Sequence, residues 1–175
     1  MEYSNVLDSP HFTFQLEYVR HVNGHCCGVN SNMRTEFVGH TDVITCFCLW
    51  ENSVYSGSRD FSILRWEWDG KCSQKLLGHS LWIQTLVVHD NFLFSGSLDR
   101  SVRKWDFAGN CVGIFEFHKL GVVAMVSFNG FLFSGSNDVT IQRWESCGKT
   151  ELYKRVIPKC FLIWKDRFVC GCSDR

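Results

Sequence analysis

At 175 residues, 45% of them apolar, the chain is long enough to bury one good core. Its 18 Lys and Arg balance 18 Asp and Glu, which removes the long-range attraction behind nonspecific binding to nucleic acid or to an acidic membrane. No stretch approaches the roughly 20 apolar residues of a spanning helix, and the opening residues carry Glu2 and Asp8 with no basic cluster ahead of an apolar run, unlike a secretory leader.

The first element in chain order is a weak strand signal, since Phe12, Phe14, Leu16 and Tyr18 alternate with polar neighbours. Residues 1–32 form a segment apart, either an extra strand or the remnant of a preceding domain. His21, His25, Cys26 and Cys27 are its metal-type residues, and their spacing fits no finger or knuckle. A solvated loop is expected there, with no metal and no cofactor. The 10 cysteines beside 2 prolines, without an N-x-Ser/Thr acceptor or a leader, point to a reducing compartment, the cytoplasm or the nucleus. The thiols are expected to act mostly as small buried hydrophobes.

Residues 33–175 are periodic. Ser56-Gly57-Ser58-Arg59-Asp60, Ser95-Gly96-Ser97-Leu98-Asp99 and Ser134-Gly135-Ser136-Asn137-Asp138 stand 39 residues apart. The same step separates His40, His79 and His118, then Trp66, Trp105 and Trp144, then Gly70, Gly109 and Gly148. The copies run near 37–67, 76–106 and 115–145, with a partial one over 157–175. In the last, a degenerate Cys170-Gly171-Cys172-Ser173-Asp174 follows 36 residues after the third phrase.

Ahead of the first copy, Met33–Val38 is expected as a lone outer strand. Inside it, 43–49, 53–58 and 62–66 are short runs rich in β-branched and aromatic residues, and 71–77 reads as a fourth strand. Asn52, Asp90-Asn91 and Asn129-Gly130 mark tight turns between the first and second strands, and Asp69-Gly70, Ala108-Gly109 and Cys147-Gly148 mark a later turn. After the third copy only two strands follow, 161–164 and 167–172. Nothing calls for a helix. Four strands per period of about 40 residues is the mark of a propeller, whereas solenoids with periods of about 33 or 34 are helical.

The pairs Gly39-His40 and Gly78-His79, the Ser-Gly-Ser-x-Asp phrases and Trp105-Asp106 resemble the WD40-repeat family over residues 33–175. The fold implied is all-β, an incomplete WD40-type β-propeller of three four-stranded blades plus a partial fourth. Trp66-Glu67 and Trp144-Glu145 carry Glu in place of Asp, and Phe117-His118 replaces Gly-His, departures that bear on local turn geometry. The resemblance implies a buried hydrogen-bonded chain in each blade: His40, Ser56, Asp60 and Trp66; His79, Ser95, Asp99 and Trp105; His118, Ser134, Asp138 and Trp144. The residue types suit it, because indole only donates, carboxylate only accepts, and hydroxyl and imidazole relay.

His, Ser and Asp also make a nucleophilic triad. An active site needs one constellation in one cleft, whereas this one recurs in phase with a Trp shielding each Ser, so no catalytic residue and no enzyme is expected. Cys46-Phe47-Cys48 and Cys170-Gly171-Cys172 lack the spacing of zinc knuckles. Gly148-Lys149-Thr150 is no phosphate loop, since Arg143 stands where the earlier glycine belongs.

By resemblance, partners dock where the His-bearing loops and the turn Asp residues lie. The positions concerned are Val43, Thr45 and Arg59; Trp82, Gln84 and Leu98; Gly121, Val123 and Asn137. Trp82 leads, because Trp and Arg dominate interface energies. The function expected is a non-catalytic scaffold or adaptor for a protein or peptide partner, with no nucleic-acid or membrane target; the alternative is a substrate-recruiting subunit of a ubiquitin-ligase-type complex. Residues 1–33 show no F-box-like helical segment to favour that alternative. A seven-bladed ring takes about 270 residues at roughly 40 per blade, so a fragment, a truncated product or one contributor to an assembled ring is expected. Self-association or ring completion by additional blades is part of that expectation.

Overall fold

The computed structural model describes residues 25–30, 33–144, 150–154, 158–165 and 167–173, with side chains in 37–144, 158–165 and 167–173. The alternating segment 12–18, His21 and the Cys147-Gly148 turn lie outside these residues, as do the side chains of His25, Cys26 and Cys27.

Every described element is a strand. β1 (His25–Asn30) and β2 (Met33–Val38) form an antiparallel hairpin. Blade 1 contains β3 (Ile44–Trp50), β4 (Ser53–Ser58), β5 (Ile63–Trp66) and β6 (Cys72–Leu76). Blade 2 contains β7 (Ile83–His89), β8 (Phe92–Ser97), β9 (Val102–Trp105) and β10 (Cys111–Phe115). Blade 3 contains β11 (Val122–Phe128), β12 (Phe131–Ser136), β13 (Thr140–Trp144) and β14 (Thr150–Lys154). β15 (Pro158–Trp164) and β16 (Arg167–Cys172) pair as a two-stranded sheet. Within each blade the strands lie side by side in chain order. The strand expected to stand alone at Met33–Val38 is instead paired along its whole length with β1, which gives its backbone groups hydrogen-bond partners.

Turn chemistry fixes the strand ends. Asp90 and Asn91 (φ 48° and 59°) and Asn129 and Gly130 (φ 48° and 75°) are consecutive left-handed pairs, the geometry that matches strand twist in a two-residue hairpin. The turn between the second and third strands closes with Phe61, Arg100 and Val139 at φ 71°, 76° and 63°. These are residue types that give no sign of a left-handed position.

The core lies between blades. Leu76, Tyr55 and Ile63 of blade 1 join Ile83, Leu86, Leu93 and Trp105 of blade 2, and Phe94 and Val102 of blade 2 join Val122, Met125, Leu132 and Trp144 of blade 3. The glycine of each Ser-Gly-Ser phrase makes this approach possible. A Cβ on Gly57 would lie 2.6 Å from Ile83 Cγ2, one on Gly96 2.7 Å from Val122 Cγ1, and one on Gly135 2.6 Å from Pro158 Cγ. The middle residue of the phrase is therefore where the next blade touches.

The cysteines depart from expectation. Cys46 and Cys48 are half-buried, and burial pushes their thiols up to about 12 and about 11. Cys72, Cys111, Cys160 and Cys172 are exposed. Cys72 and Cys111 begin outermost strands, and Cys160 and Cys172 sit on a hairpin with no further strand beside it among the described residues.

Gly96→Val forces a branched side chain into Val122 and Thr85, and overpacking of this kind costs about 1–3 kcal/mol. A lowered thermal midpoint is expected by calorimetry, partly restored in Gly96→Val/Val122→Ala; an unchanged single variant contradicts the packing.

Candidate functional site

Each blade brings its predicted quartet together at one end of the sheet. In blade 1, Trp66 Nε1–H donates to Ser56 Oγ (2.7 Å), His40 Nε2 lies 2.7 Å from the same oxygen, and His40 Nδ1 lies 2.8 Å from Asp60 Oδ2. In blade 2 the Trp105–Ser95, His79–Ser95 and His79–Asp99 distances are 2.8, 2.7 and 2.7 Å. In blade 3 the Trp144–Ser134, His118–Ser134 and His118–Asp138 distances are 2.8, 2.8 and 3.2 Å.

Elementary chemistry orients the protons. The indole must donate and the carboxylate must accept. Ser56 therefore accepts from Trp66 and donates to His40 Nε2, leaving the proton on Nδ1 to be donated to Asp60. The same neutral tautomer follows for His79 and His118. Burial lowers the His118 imidazole from its usual range, with Asp138 opposing only in part.

The carboxylates sit deeper in the network than expected. Burial tends to raise Asp60, but the Ser62 hydroxyl, the Thr41 and Ser62 amides and His40 outweigh it and hold the carboxyl down at about 2. Asp99 and Asp138 are lowered in the same way: burial opposes, while His79 and Ser101 in one case, and Thr140, the Lys119 amide and His118 in the other, prevail.

Two positions escaped the sequence reading. Ser62, Ser101 and Thr140 each donate a hydroxyl to the turn Asp, and their own 39-residue spacing was a usable signal. Ser58, Ser97 and Ser136, the second Ser of each phrase, donate to the carbonyls of Val43, Leu81 and Leu120 and accept the turn Asp amide. They tie the turn to the His-bearing loop.

That tie assembles most of the predicted docking positions. Arg59, Leu98 and Asn137 donate their amides to the carbonyls of Val43, Trp82 and Gly121 at 2.9, 2.9 and 3.0 Å. Contacts then cross from blade to blade. The Arg59 guanidinium lies 4.2 Å from the centre of the Trp82 ring, and Leu98 lies where a Cβ on Gly121 would fall 2.5 Å from Leu98 Cδ2. Val43, Arg59, Trp82, Leu98, Gly121 and Asn137 thus form one ribbon across three blades. Val43, Trp82 and Asn137 are exposed on it, whereas Gly121 is buried. The Thr45 hydroxyl is engaged inside, donating to the Gly57 and Ile83 carbonyls. Gln84 and Val123 are half-buried on β7 and β11.

The departures from the repeat have local answers. With Glu67 at the Asp position, the turn after β5 is capped by Asp69, which accepts the Lys71 amide at 3.0 Å. In blade 2, Asp106 caps directly, accepting the Asn110 amide at 2.8 Å. A Cβ on Gly39 would lie 2.8 Å from Trp66 Cη2, yet Phe117 at the matching position stays half-exposed, its ring 5.4 Å from that of Trp144.

Four-stranded blades stacked in chain order, each locked by the same chain from indole to carboxylate, define an incomplete β-propeller of the WD40 type. Residues 70–106 match the family model described as WD domain, G-beta repeat. It is similar to the computationally designed Ika4 protein, with 25% identity and a TM-score of 0.66 over 77% of this chain and 88% of that one. It is also similar to the WD40 β-propeller domain of Doa1, with 18% identity and a TM-score of 0.75 over 89% of this chain and 60% of that one. A chain of the mitotic checkpoint complex gives 22% identity and a TM-score of 0.72 over 80% and 48%. The chain thus spans about half to three-fifths of the lengths of the latter two. No curated protein matches it. Among the described residues no three His, Cys, Asp or Glu side chains gather as a metal site.

Asp99→Ala removes the acceptor for His79, the Ser80 and Ser101 amides and the Ser101 hydroxyl. A loss of about 3 kcal/mol is expected, read as a lowered unfolding midpoint, and an unchanged midpoint contradicts the network. For pH, carboxyls depressed in the folded state give stability that is fully present above their unfolded value of about 3.9 and is lost as pH falls toward about 2. His118, held neutral by burial, adds a loss of the same sign below about 6.5. The midpoint should fall steadily from pH 7 to pH 3. A rise between pH 8 and pH 6 would mean protonated, carboxylate-paired histidines and would overturn the tautomer assigned here.

Proposed function

We propose that the chain is a non-catalytic scaffold that captures a protein or peptide partner on the end of the blades carrying the His loops and the turn Asp residues. The observation that carries this reading is the ribbon from Val43 to Asn137. On it, Trp82 is held by Arg59 of the neighbouring blade and remains 37% exposed. Leu81 and Leu120 extend the apolar surface on the same loops. A rigid aromatic anchor beside a guanidinium, displayed on loops fixed by buried hydrogen bonds, is the composition of an interface hot spot.

The same geometry speaks against nucleophilic chemistry at the repeated triad. Ser56, Ser95 and Ser134 have no exposed surface, and each hydroxyl is already held between an indole and an imidazole. A substrate carbonyl has no approach to them.

Replacing Trp82 by Ala, alone and with Arg59→Ala, is expected to weaken partner capture by about 2 kcal/mol, roughly 30-fold, with the far-UV spectrum unchanged. Val112→Ala, an exposed apolar change on the outermost strand β10, should leave capture intact. Quantitative comparison of the proteins retained by each variant checks this; equal retention by Trp82→Ala and Val112→Ala removes the ribbon from consideration.

A further inference from the structure

The outermost strands of the blades differ in charge. β6 carries Lys75, with Lys71 just ahead of it, and β14 carries Glu151 and Lys154. β10 carries no charge at all. The step of 39 residues sets Ile114 where β6 has Lys75, Val112 where it has Ser73, and Asn110 where Lys71 stands. Both strands bulge at the same step, at Ser73 and at Val112, so charge rather than backbone course separates them.

A strand edge presents unpaired amides and carbonyls, and lysines along it are a common guard against an incoming strand. β10 lacks that guard. It has β9 on one side and no strand on the other among the described residues, and Val112 and Ile114 are 51 and 53% exposed. Blade 2 packs against a blade on each face, so its outer edge stays on the rim whatever stands beyond the array.

The two ends of the strand are charged, and with one sign. Asp106 stands at its start, accepting the Asn110 amide and carboxamide at 2.8 and 2.9 Å. These bonds hold the carboxyl below the usual carboxylate range, and the donors are neutral, so the charge stays uncompensated. Glu116 stands exposed just past the end. Neither carboxylate forms an ion pair among the described residues, whereas Asp69 of blade 1 is paired with Lys71 at 2.9 Å. The cations of β9 are engaged elsewhere: Lys104 Nζ lies 3.6 Å from the centre of the Phe92 ring, and Arg103 donates to Cys111 Sγ.

This pattern disfavours a second copy as the occupant. Two β10 strands paired antiparallel about Gly113 would set Glu116 of one copy against Asn110 of the other, where Asp106 lies. A parallel pair would align each acid with its own equivalent. Like charges facing each other across a ladder destabilise it. The complement of this edge is an extended apolar segment with a cation at both ends.

We propose that the outer edge of blade 2 is a second docking site, separate from the ribbon, which takes an extended apolar protein segment bracketed by lysine or arginine as a fifth strand. Main-chain bonds to β10 supply the affinity, Val112 and Ile114 the apolar contact, and Asp106 and Glu116 the choice of sequence.

Two labelled peptides of alternating valine and threonine test this, one with lysine at both ends and one with glutamate. By fluorescence polarisation at low salt the lysine-ended peptide is expected to bind about tenfold tighter, the gap closing as salt rises. Ile114→Lys, which gives β10 the residue of β6, should weaken its binding while leaving the far-UV spectrum unchanged. Glu116→Gln should cut the preference to about threefold. Val112→Ala leaves the backbone and both acids in place and should keep the preference. Trp82→Ala should bind the peptide as the unaltered chain does; a loss there would put the peptide on the ribbon and overturn the edge site. Equal binding of the two peptides, no binding, or binding indifferent to Ile114→Lys would also overturn it. Should Ile114→Lys disturb the sheet, hydrogen exchange on the unaltered chain decides: the lysine-ended peptide should protect amides of 111–115 and not those of 72–76, and protection of both alike, or of neither, refutes the site.

Discussion

An indole nitrogen carries a proton and no usable lone pair, and an ionised carboxylate carries lone pairs and no proton. Whatever lies between Trp66 and Asp60 must run with one polarity, and Ser56 and His40 satisfy it without a free group at either end. The carboxylate then gathers the Thr41 and Ser62 amides. One charge thus fixes the loop before the first strand, the turn after the second and a side chain on the third. The chain is buried, so its completeness matters more than its strength: an unpaired member would keep its desolvation penalty with nothing to offset it.

Because each blade is locked inside itself, the apolar surfaces can be given over to neighbours. Trp105 closes the hydrogen-bonded chain of blade 2 and also belongs to the cluster that joins blades 1 and 2. The glycines at 57, 96 and 135 let the next blade approach to contact. Stability in such an array is a sum over adjacent blades.

The repeat was legible because its landmarks are the residues whose chemistry admits few substitutes. His40, Ser56, Asp60 and Trp66 could be placed on loop, strand, turn and strand from spacing, since each has one job in one geometry. Positions filled by function rather than by type were not legible. Phe61, Arg100 and Val139 share a left-handed backbone that no side chain advertises; the preceding Asp and the amide it accepts impose it. Ser62, Ser101 and Thr140 were overlooked because the third is not serine, although the hydroxyl is what repeats. The hairpin of β1 with β2 carries none of the landmarks, and where they are absent the periodic argument has nothing to hold.

The lock also separates the side chains of the proposed docking ribbon from the folding of the blade beneath them. Through the second Ser of each phrase and the amide beside it, the residue before the turn Asp is held against the residue three beyond the His, whatever those two residues are. Arg59 against Val43, Leu98 against Trp82 and Asn137 against Gly121 are three different chemistries on one backbone arrangement. The next blade's loop then lies beside the last blade's turn, so Arg59 reaches Trp82 across the boundary. A surface assembled by main-chain bonds can change its side chains one pair at a time while the buried chain beneath it stays complete. The side chains of the proposed docking ribbon are therefore free to vary just where the fold is most firmly fixed.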